Sequence, residues 1–249
     1  MKKIIALIIG VTAFFVVSAQ DMTEVLKNHY ETIGMDKIRQ VNNIVTKGNI
    51  VMMGTEMPYV ITITRSGKLY LEVPIQGMLM KRGFDGTVAW MTAPWTGSSD
   101  PIELGDFEKK MIRTQVDIDG MLYEPESKGY KAEFLGKEDM EGSPVYLIKL
   151  SDTTGDEYTQ YIDAENFVVL KIKGSINYQG SKIETETFYS NYKPVDGIIM
   201  PFSMDSKMNG QTQSQIVVTE YLFNQELNDS IFMKPEPQPK PEPEPAPDK

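Results

Sequence analysis

Between residues 44 and 223 apolar and polar side chains alternate in short runs, and glycine or a turn dipeptide breaks the runs at regular intervals. Alternation of this kind marks strands with one face buried and one face wet. The runs fall at about 44–53, 58–64, 68–74, 77–84 and 87–92, and again at 130–138, 143–150, 156–163, 166–174, 182–192, 197–208 and 214–223. Ser66-Gly67, Asp85-Gly86, Glu141-Gly142, Gln179-Gly180, Asp196-Gly197 and Asn209-Gly210 are the turn signals between them. Two stretches depart from the pattern. Met22 to Ile33 sets Val25, Leu26, His29, Tyr30 and Ile33 at helical spacing with Gly34 as a C-cap, and residues 102–124 space Phe107, Met111, Ile112, Val116, Met121 and Leu122 as one or two short helices. Eleven or twelve antiparallel strands, with helices only at the start and in one insertion, predict a mainly β domain, a curved sheet or incomplete barrel rather than a βαβ fold.

The hairpin around Asp85-Gly86 sharpens the picture, because it carries both tryptophans, Trp90 and Trp95, within a few residues of the turn. A two-residue type I′ turn there pairs Phe84 with Thr87. Leu79, Val88 and Trp90 then share one face, and Met80, Phe84, Ala89 and Met91 share the other. Both faces are apolar, which requires a cavity or helix on one side and a cover on the other. The pattern leaves open which of the two faces lines the cavity; of the two we take Trp90's. Ile198 to Met208 is the clearest two-faced strand: Ile198, Met200, Phe202, Met204 and Met208 lie opposite Ser203, Asp205 and Lys207.

Composition changes the picture in four places. Lys2 and Lys3, the apolar run Ile4 to Val17 and the Val17-Ser18-Ala19 site read as a cleaved signal peptide over 1–19, so that the mature chain starts at Gln20 in the periplasm. The run is shorter than the roughly 20 residues of a spanning helix. The whole chain has 25 basic and 35 acidic side chains, net −10, and loses two of the basic ones with the leader. A nucleic-acid partner needs a basic face, and none is present. The absence of cysteine excludes a disulfide scaffold and an amino-terminally lipidated anchor. Residues 234–249 alternate proline with charged or polar residues and cannot bury a core; they read as a solvated tail or as a spacer that docks an envelope protein partner. Residues 20–233 remain as one domain. An integral β-barrel is disfavoured by the short strands and the lack of a continuous lipid-facing band.

Candidate chemistry is thin. His29 is the single histidine, placed on an amphipathic helix as an interface residue. Asp117-Ile118-Asp119-Gly120 begins like a calcium loop, but Lys128 stands at the twelfth position where a glutamate should close it. Glu184 with Glu186, and Asp152 with Asp156, read as solvated carboxylate pairs. No nucleophile elbow, phosphate loop or dinucleotide fingerprint occurs, so neither a cofactor nor a metal is expected and the chain reads as a non-enzyme. The 16 methionines are more informative, because flexible thioethers suit a pocket that accepts variable acyl chains.

Read together, His29-Tyr30-Glu31-Thr32-Ile33-Gly34, Lys37-Ile38, Lys47-Gly48, Phe84 to Trp90 with Pro94, Tyr161-Ile162-Asp163, Tyr192 to Pro201 and Ile231-Phe232 resemble the LolA-like outer-membrane lipoprotein-sorting family over residues 22–233. The resemblance implies an open, incomplete antiparallel β-barrel of about 11 strands with helices over its concave face and a hydrophobic cavity. It implies a carrier or binding protein for an acylated lipoprotein or another lipid-like ligand, not integral to the membrane. The alternative is an envelope sensor or scaffold that binds a protein partner. The expected lining is Tyr59, Ile61 and Ile63, then Leu69 and Leu71, then Leu79, Val88 and Trp90 of the hairpin, and Ile198, Met200, Phe202 and Met204. The first helix and 102–124 would open and close the mouth. Two readings stand for Arg65 and Arg82: a hydrogen bond to helix carbonyls across that mouth, or a solvent-facing side chain.

Overall fold

The computed structural model describes residues 21–52, 54–98 and 100–237. The expected leader, Met53, and the tail beyond residue 237 lie outside the described residues. Thirteen antiparallel strands form one open sheet: β1 (Asn43–Met52), β2 (Thr55–Thr64), β3 (Leu69–Ile75), β4 (Met78–Phe84), β5 (Ala89–Thr92), β6 (Ile102–Glu103), β7 (Lys131–Met140), β8 (Ser143–Ser151), β9 (Glu157–Asp163), β10 (Val169–Tyr178), β11 (Ser181–Val195), β12 (Ile198–Met208) and β13 (Gln211–Phe223). Their order across the sheet is β6-β5-β4-β3-β2-β1-β13-β12-β11-β10-β9-β8-β7. The first and last strands in this order do not pair, so the barrel is incomplete. The strand beyond the expected count is β6, a two-residue strand inside the segment read as helical.

Turn chemistry accounts for most of the hairpins. At Glu141-Gly142, Gln179-Gly180, Asp196-Gly197 and Asn209-Gly210 both residues have positive φ, as a type I′ turn demands, and the flanking residues pair directly. Asp85-Gly86 differs. Only Gly86 has positive φ, and Phe84 pairs with Ala89 across a four-residue loop. The Asp85 carboxylate accepts hydrogen bonds from the Thr87 and Val88 amides, both at 2.8 Å, and this side-chain turn displaces the two-residue one. The pairing shift is two residues, which preserves side-chain parity, so the expected division into faces survives.

The helices lie on one face of the sheet. In α1, helical over 21–33, the buried Val25 and His29 share a side with the half-buried Leu26 and Tyr30. Gly34, at φ 76°, ends α1 and turns the chain into α2 (Met35–Ile38). Its lack of a side chain also lets the Gly197 carbonyl of the β11–β12 turn approach; a Cβ on Gly34 would stand 2.5 Å from that oxygen. Lys37 donates to the adjacent Asp196 carbonyl at 3.1 Å. Gly34, Lys37 and Asp196-Gly197, three separate pieces of the family pattern, are thus one contact. The third helix, α3 (Asp106–Gln115), buries Ile112 completely.

Three apolar clusters make the core. One sets Val25 of α1, Met121 and Leu122 against Ile148, Leu150, Tyr158, Ile162 and Ile176 of β8 to β10. A central one sets Met35, Ile38 and Val41 against Ile44, Ile198, Val218 and Tyr221. The third sets Ile112 and Val116 against Leu69, Phe84 and Ala89. α3 bridges the open sheet: Ile112 reaches β3 to β5, while Phe107 meets Tyr178 of β10 at 5.0 Å between rings and Lys110 forms an ion pair with the fully buried Asp156.

Candidate functional site

Residues directly opposite one another on neighbouring strands share a face, so the register arranges the helix-bearing face in rows. One row reads Phe223, Ile44, Ile63, Leu69, Phe84, Ala89 from β13 to β5. The next reads Tyr221, Thr46, Ile61, Leu71, Arg82, Met91. Then come Val218, Gly48 and Tyr59, and after them Tyr189, Met204, Ile216, Ile50 and Met57. The first row is sealed by α2 and α3. The last is not: all five of its side chains are only half-buried. It spans five strands, about 19 Å at roughly 4.8 Å per strand.

Nine of the expected lining residues belong to this face. Tyr59, Ile61, Ile63, Leu69 and Leu71 occupy the rows, and Ile198, Met200, Phe202 and Met204 join the central cluster beneath α2. Leu69 and Ile198 are fully taken up by core packing. Tyr59 is 4% exposed and its ring lies over Gly48, where a Cβ would come within 3.0 Å of it and 2.3 Å of the Val217 carbonyl.

Leu79, Val88 and Trp90 are on the other side. Trp90 pairs with Gly83, which pairs with Tyr70, and its indole N–H donates to the Phe232 carbonyl at 2.9 Å. Phe232, 0% exposed, ends a short 3-10 turn (Asp229–Phe232) that covers this outer face, with Lys68 holding Asp229 at 2.9 Å. Leu79 alternates with the inward Met80 and is 42% exposed, and Val88 sits in the Asp85 loop. The cover required by two apolar faces is therefore the carboxy-terminal segment on Trp90's side, while the helices take Phe84's. This corrects the choice of Trp90's face. Periodicity divides side chains into faces and says nothing about which face a distant segment will cover.

The two arginines part company. Arg65 donates from Nη2 to the Ile38 carbonyl and from Nε to the Val41 carbonyl, both at 2.7 Å, and from Nη1 to Asp119 at 2.8 Å. It ties the β2–β3 turn to the end of α2 and to the loop after α3. Arg82 points inward from β4, its Nε is buried without a hydrogen-bond partner among the described residues, and burial lowers the pKa of the guanidinium, opposed by Glu108. The loop that opens like a calcium site is closed by Lys128, whose ammonium donates to both Asp117 carboxylate oxygens at 2.8 and 2.7 Å and to the Gly120 carbonyl at 2.7 Å. Among the described residues no group of side chains could hold a metal ion.

The remaining titratable groups are structural. His29 donates from Nδ1 to the Phe167 carbonyl at 2.7 Å, and burial lowers its pKa despite that bond. Burial pushes the Tyr189 phenol up to about 12. Tyr221 donates to the Pro201 carbonyl at 2.5 Å. Cavities open at the periphery, one of about 390 Å³ between α1 and the β7 edge, floored by Phe134, Tyr146 and Phe167, and one of about 190 Å³ beside α2. Neither touches the expected lining.

Sequence and structure comparisons bear on this arrangement. A family model described as "-like: Uncharacterized protein" matches residues 75–236, more than half of the chain, and the folds that match are of the LolA type. The chain belongs to the family of that model, and its fold is of the LolA type. A LolA superfamily protein from Nitrosomonas europaea is 15% identical with a TM-score of 0.58, covering 85% of this chain and 97% of its own. A DUF1329 family protein from Desulfovibrio piger is 14% identical with a TM-score of 0.52, covering 84% of this chain and 97% of its own. No curated protein matches the sequence. At these identities the LolA-like kinship fixes the fold alone. Among the described residues, no helix is long and apolar enough to cross a membrane.

Proposed function

We propose that the protein is a non-enzymatic carrier of the periplasm that takes an acylated lipoprotein chain, or another lipid-like molecule, onto the inner face of its half-barrel, in the service of outer-membrane lipoprotein sorting. The observation that carries this reading is the half-buried row Tyr189, Met204, Ile216, Ile50, Met57, an apolar strip across five strands at the margin of the central cluster, against which Met204 and Ile216 pack. Burying an acyl chain there supplies about 0.8 kcal/mol per methylene without any charged contact. Release follows when α2, α3 and the loop after it move, and Arg65 holds the end of α2 and that loop near the β2–β3 turn. The test is uptake of an acylated fluorophore by delipidated protein, followed by transfer of a lipidated substrate out of membranes. Failure of both ends the carrier reading.

A second reading, a sensor or scaffold for a protein partner, draws on β7. This strand is a free sheet edge with Leu135 47% exposed, and the cavity floored by three aromatic rings lies beside it. An added partner strand with one apolar side chain fits such an edge. Recovery of a specific partner by the full chain, and its loss in Phe134→Ala, distinguishes this reading from the first.

A further inference from the structure

Asp156 is the only buried carboxylate among the described residues, at 0% exposure, so its reading as half of a solvated pair with Asp152 does not hold. It stands in the turn between β8 and β9. Its amide donates to the Asp152 carboxylate at 2.9 Å, and its Oδ1 accepts from the Asn177 amide at 2.9 Å, which ties the turn to the end of β10. Its Oδ2 has no hydrogen bond among the described residues and meets only the Lys110 ammonium, an ion-pair partner that comes from α3. Lys110 also donates to the Asn177 carbonyl at 3.5 Å. One carboxylate oxygen thus belongs to the sheet and the other to the helix.

The two ends of α3 are held by different means. The carboxy-terminal half buries Ile112 and Val116 against Leu69, Phe84 and Ala89, and the loop after it is pinned by Arg65 on Asp119 and by Lys128 on Asp117. The amino-terminal half rests on the side of β8 to β10 through the half-buried Phe107 and Met111 and through the single pair of Lys110 with Asp156. A buried ion pair adds little adhesion that apolar side chains of the same size would not, but removing one partner leaves a costly uncompensated charge. Such a contact separates a closed from an open state more sharply than it glues. The partners are also unequal. Lys110 is 29% exposed and returns to water when it lets go, whereas the carboxylate stays where the turn holds it. The penalty of opening therefore falls on the sheet, and the closed state is the resting one.

We propose that the Lys110–Asp156 pair is the latch of the ligand gate: α3 pivots about its Ile112 end and lifts at its Lys110 end, opening the inner face between the helix and β9 and β10. This inference rests on the carrier reading and adds which end of the helix opens and what holds it shut. Ile176 lies in the cluster under the latched end, and the register of β10 with β11 places it on the same face as Thr185, Thr187 and Tyr189. The gap therefore opens on the side where the half-buried row begins.

The experiment joins amide exchange to stopped-flow uptake and release of dansyl-undecanoate, on the delipidated mature protein and on Asp156→Asn, Lys110→Arg, Lys110→Met and the double variant Lys110→Met with Asp156→Asn. Asp156→Asn keeps an acceptor for the Asn177 amide and removes the charge. Exchange in residues 106–111 should then quicken at least about tenfold, as loss of a charge-assisted contact allows, while residues 112–116 and β3 to β5 stay as in the parent. The probe should enter and leave faster by a similar factor, with its equilibrium affinity changed less than either rate. Lys110→Arg should behave as the parent. Lys110→Met should lower the urea midpoint more than Asp156→Asn does, because it leaves the buried carboxylate alone, and the double variant should recover that extra loss while exchanging as fast as Asp156→Asn. Unchanged exchange in residues 106–111, or exchange that rises equally along all of α3, overturns the latch and leaves the carrier reading standing. Faster exchange with unaltered uptake and release overturns it too, since the pair is then only a brace. No uptake by the parent or by any variant removes the carrier reading and the gate together.

Discussion

Replacing Arg65 by methionine tests whether the helices are held down by a single side chain. Two of its bonds reach carbonyls at 2.7 Å, those of Ile38 and Val41 at the end of α2, and the third reaches Asp119 at 2.8 Å. A charge-assisted hydrogen bond contributes about 1.5–3 kcal/mol when buried. The Arg65 side chain is 32% exposed, so water replaces part of each bond and the ion pair with Asp119 falls toward the surface value, under about 1 kcal/mol. About 1 kcal/mol for each carbonyl bond and less for the pair gives a loss of about 2–3 kcal/mol in Arg65→Met. Urea unfolding followed by circular dichroism measures it, and with a slope of about 3 kcal/mol/M the midpoint should fall by nearly ~1 M. Amide exchange should quicken in residues 35–41 and 117–120 and stay unchanged in β8 to β10. A loss below about 0.5 kcal/mol, or exchange that rises equally everywhere, would show that the arginine is incidental to closure.

The remaining expectations are narrower. His29 has its pKa depressed from 6.5 by burial, so its neutral form is the one the fold accepts; the stability it lends is full above about 6.5 and declines as the pH falls from there toward the lower folded value, a slope that His29→Gln should remove in denaturation curves at stepped pH. Trp90→Phe deletes the donor to the buried Phe232 carbonyl and should cost about 2 kcal/mol, with the 229–232 turn losing protease protection; an unchanged digestion pattern would speak against the outer cover. Ile216→Asp places a charge on the half-buried row and should abolish uptake of an acyl probe while lowering the unfolding midpoint, because Ile216 also packs against the central cluster; retained uptake by the folded variant would move the ligand elsewhere.

The strands were legible because alternation and turn dipeptides are local. Xaa-Gly turns with paired positive φ set four of the six hairpins from β7 to β13, and the expected strands match them closely. The Asp85-Gly86 turn was misjudged because one carboxylate could cap two amides, a competition that a dipeptide does not display. Orientation was illegible for a deeper reason: Trp90 and Phe84 have equally apolar neighbours, and the segment that decides between them arrives from residue 232, 142 positions along the chain. Arg82 was half legible: the sequence leaves two readings for it, and only the register, which sets it beside Leu71, puts it on the inner face.

Lys128 gives the loop after α3 a counter-ion that can never diffuse away. A loop of the calcium type folds and unfolds with the supply of its ion, and so reports on the medium. Here the cation travels on the same chain as the carboxylate it neutralises, eleven positions away, and its local concentration is set by covalent connection alone. The fold of this loop is therefore deaf to chelators and to swings in the divalent-ion content of the medium, and whatever opens it has to act by touch.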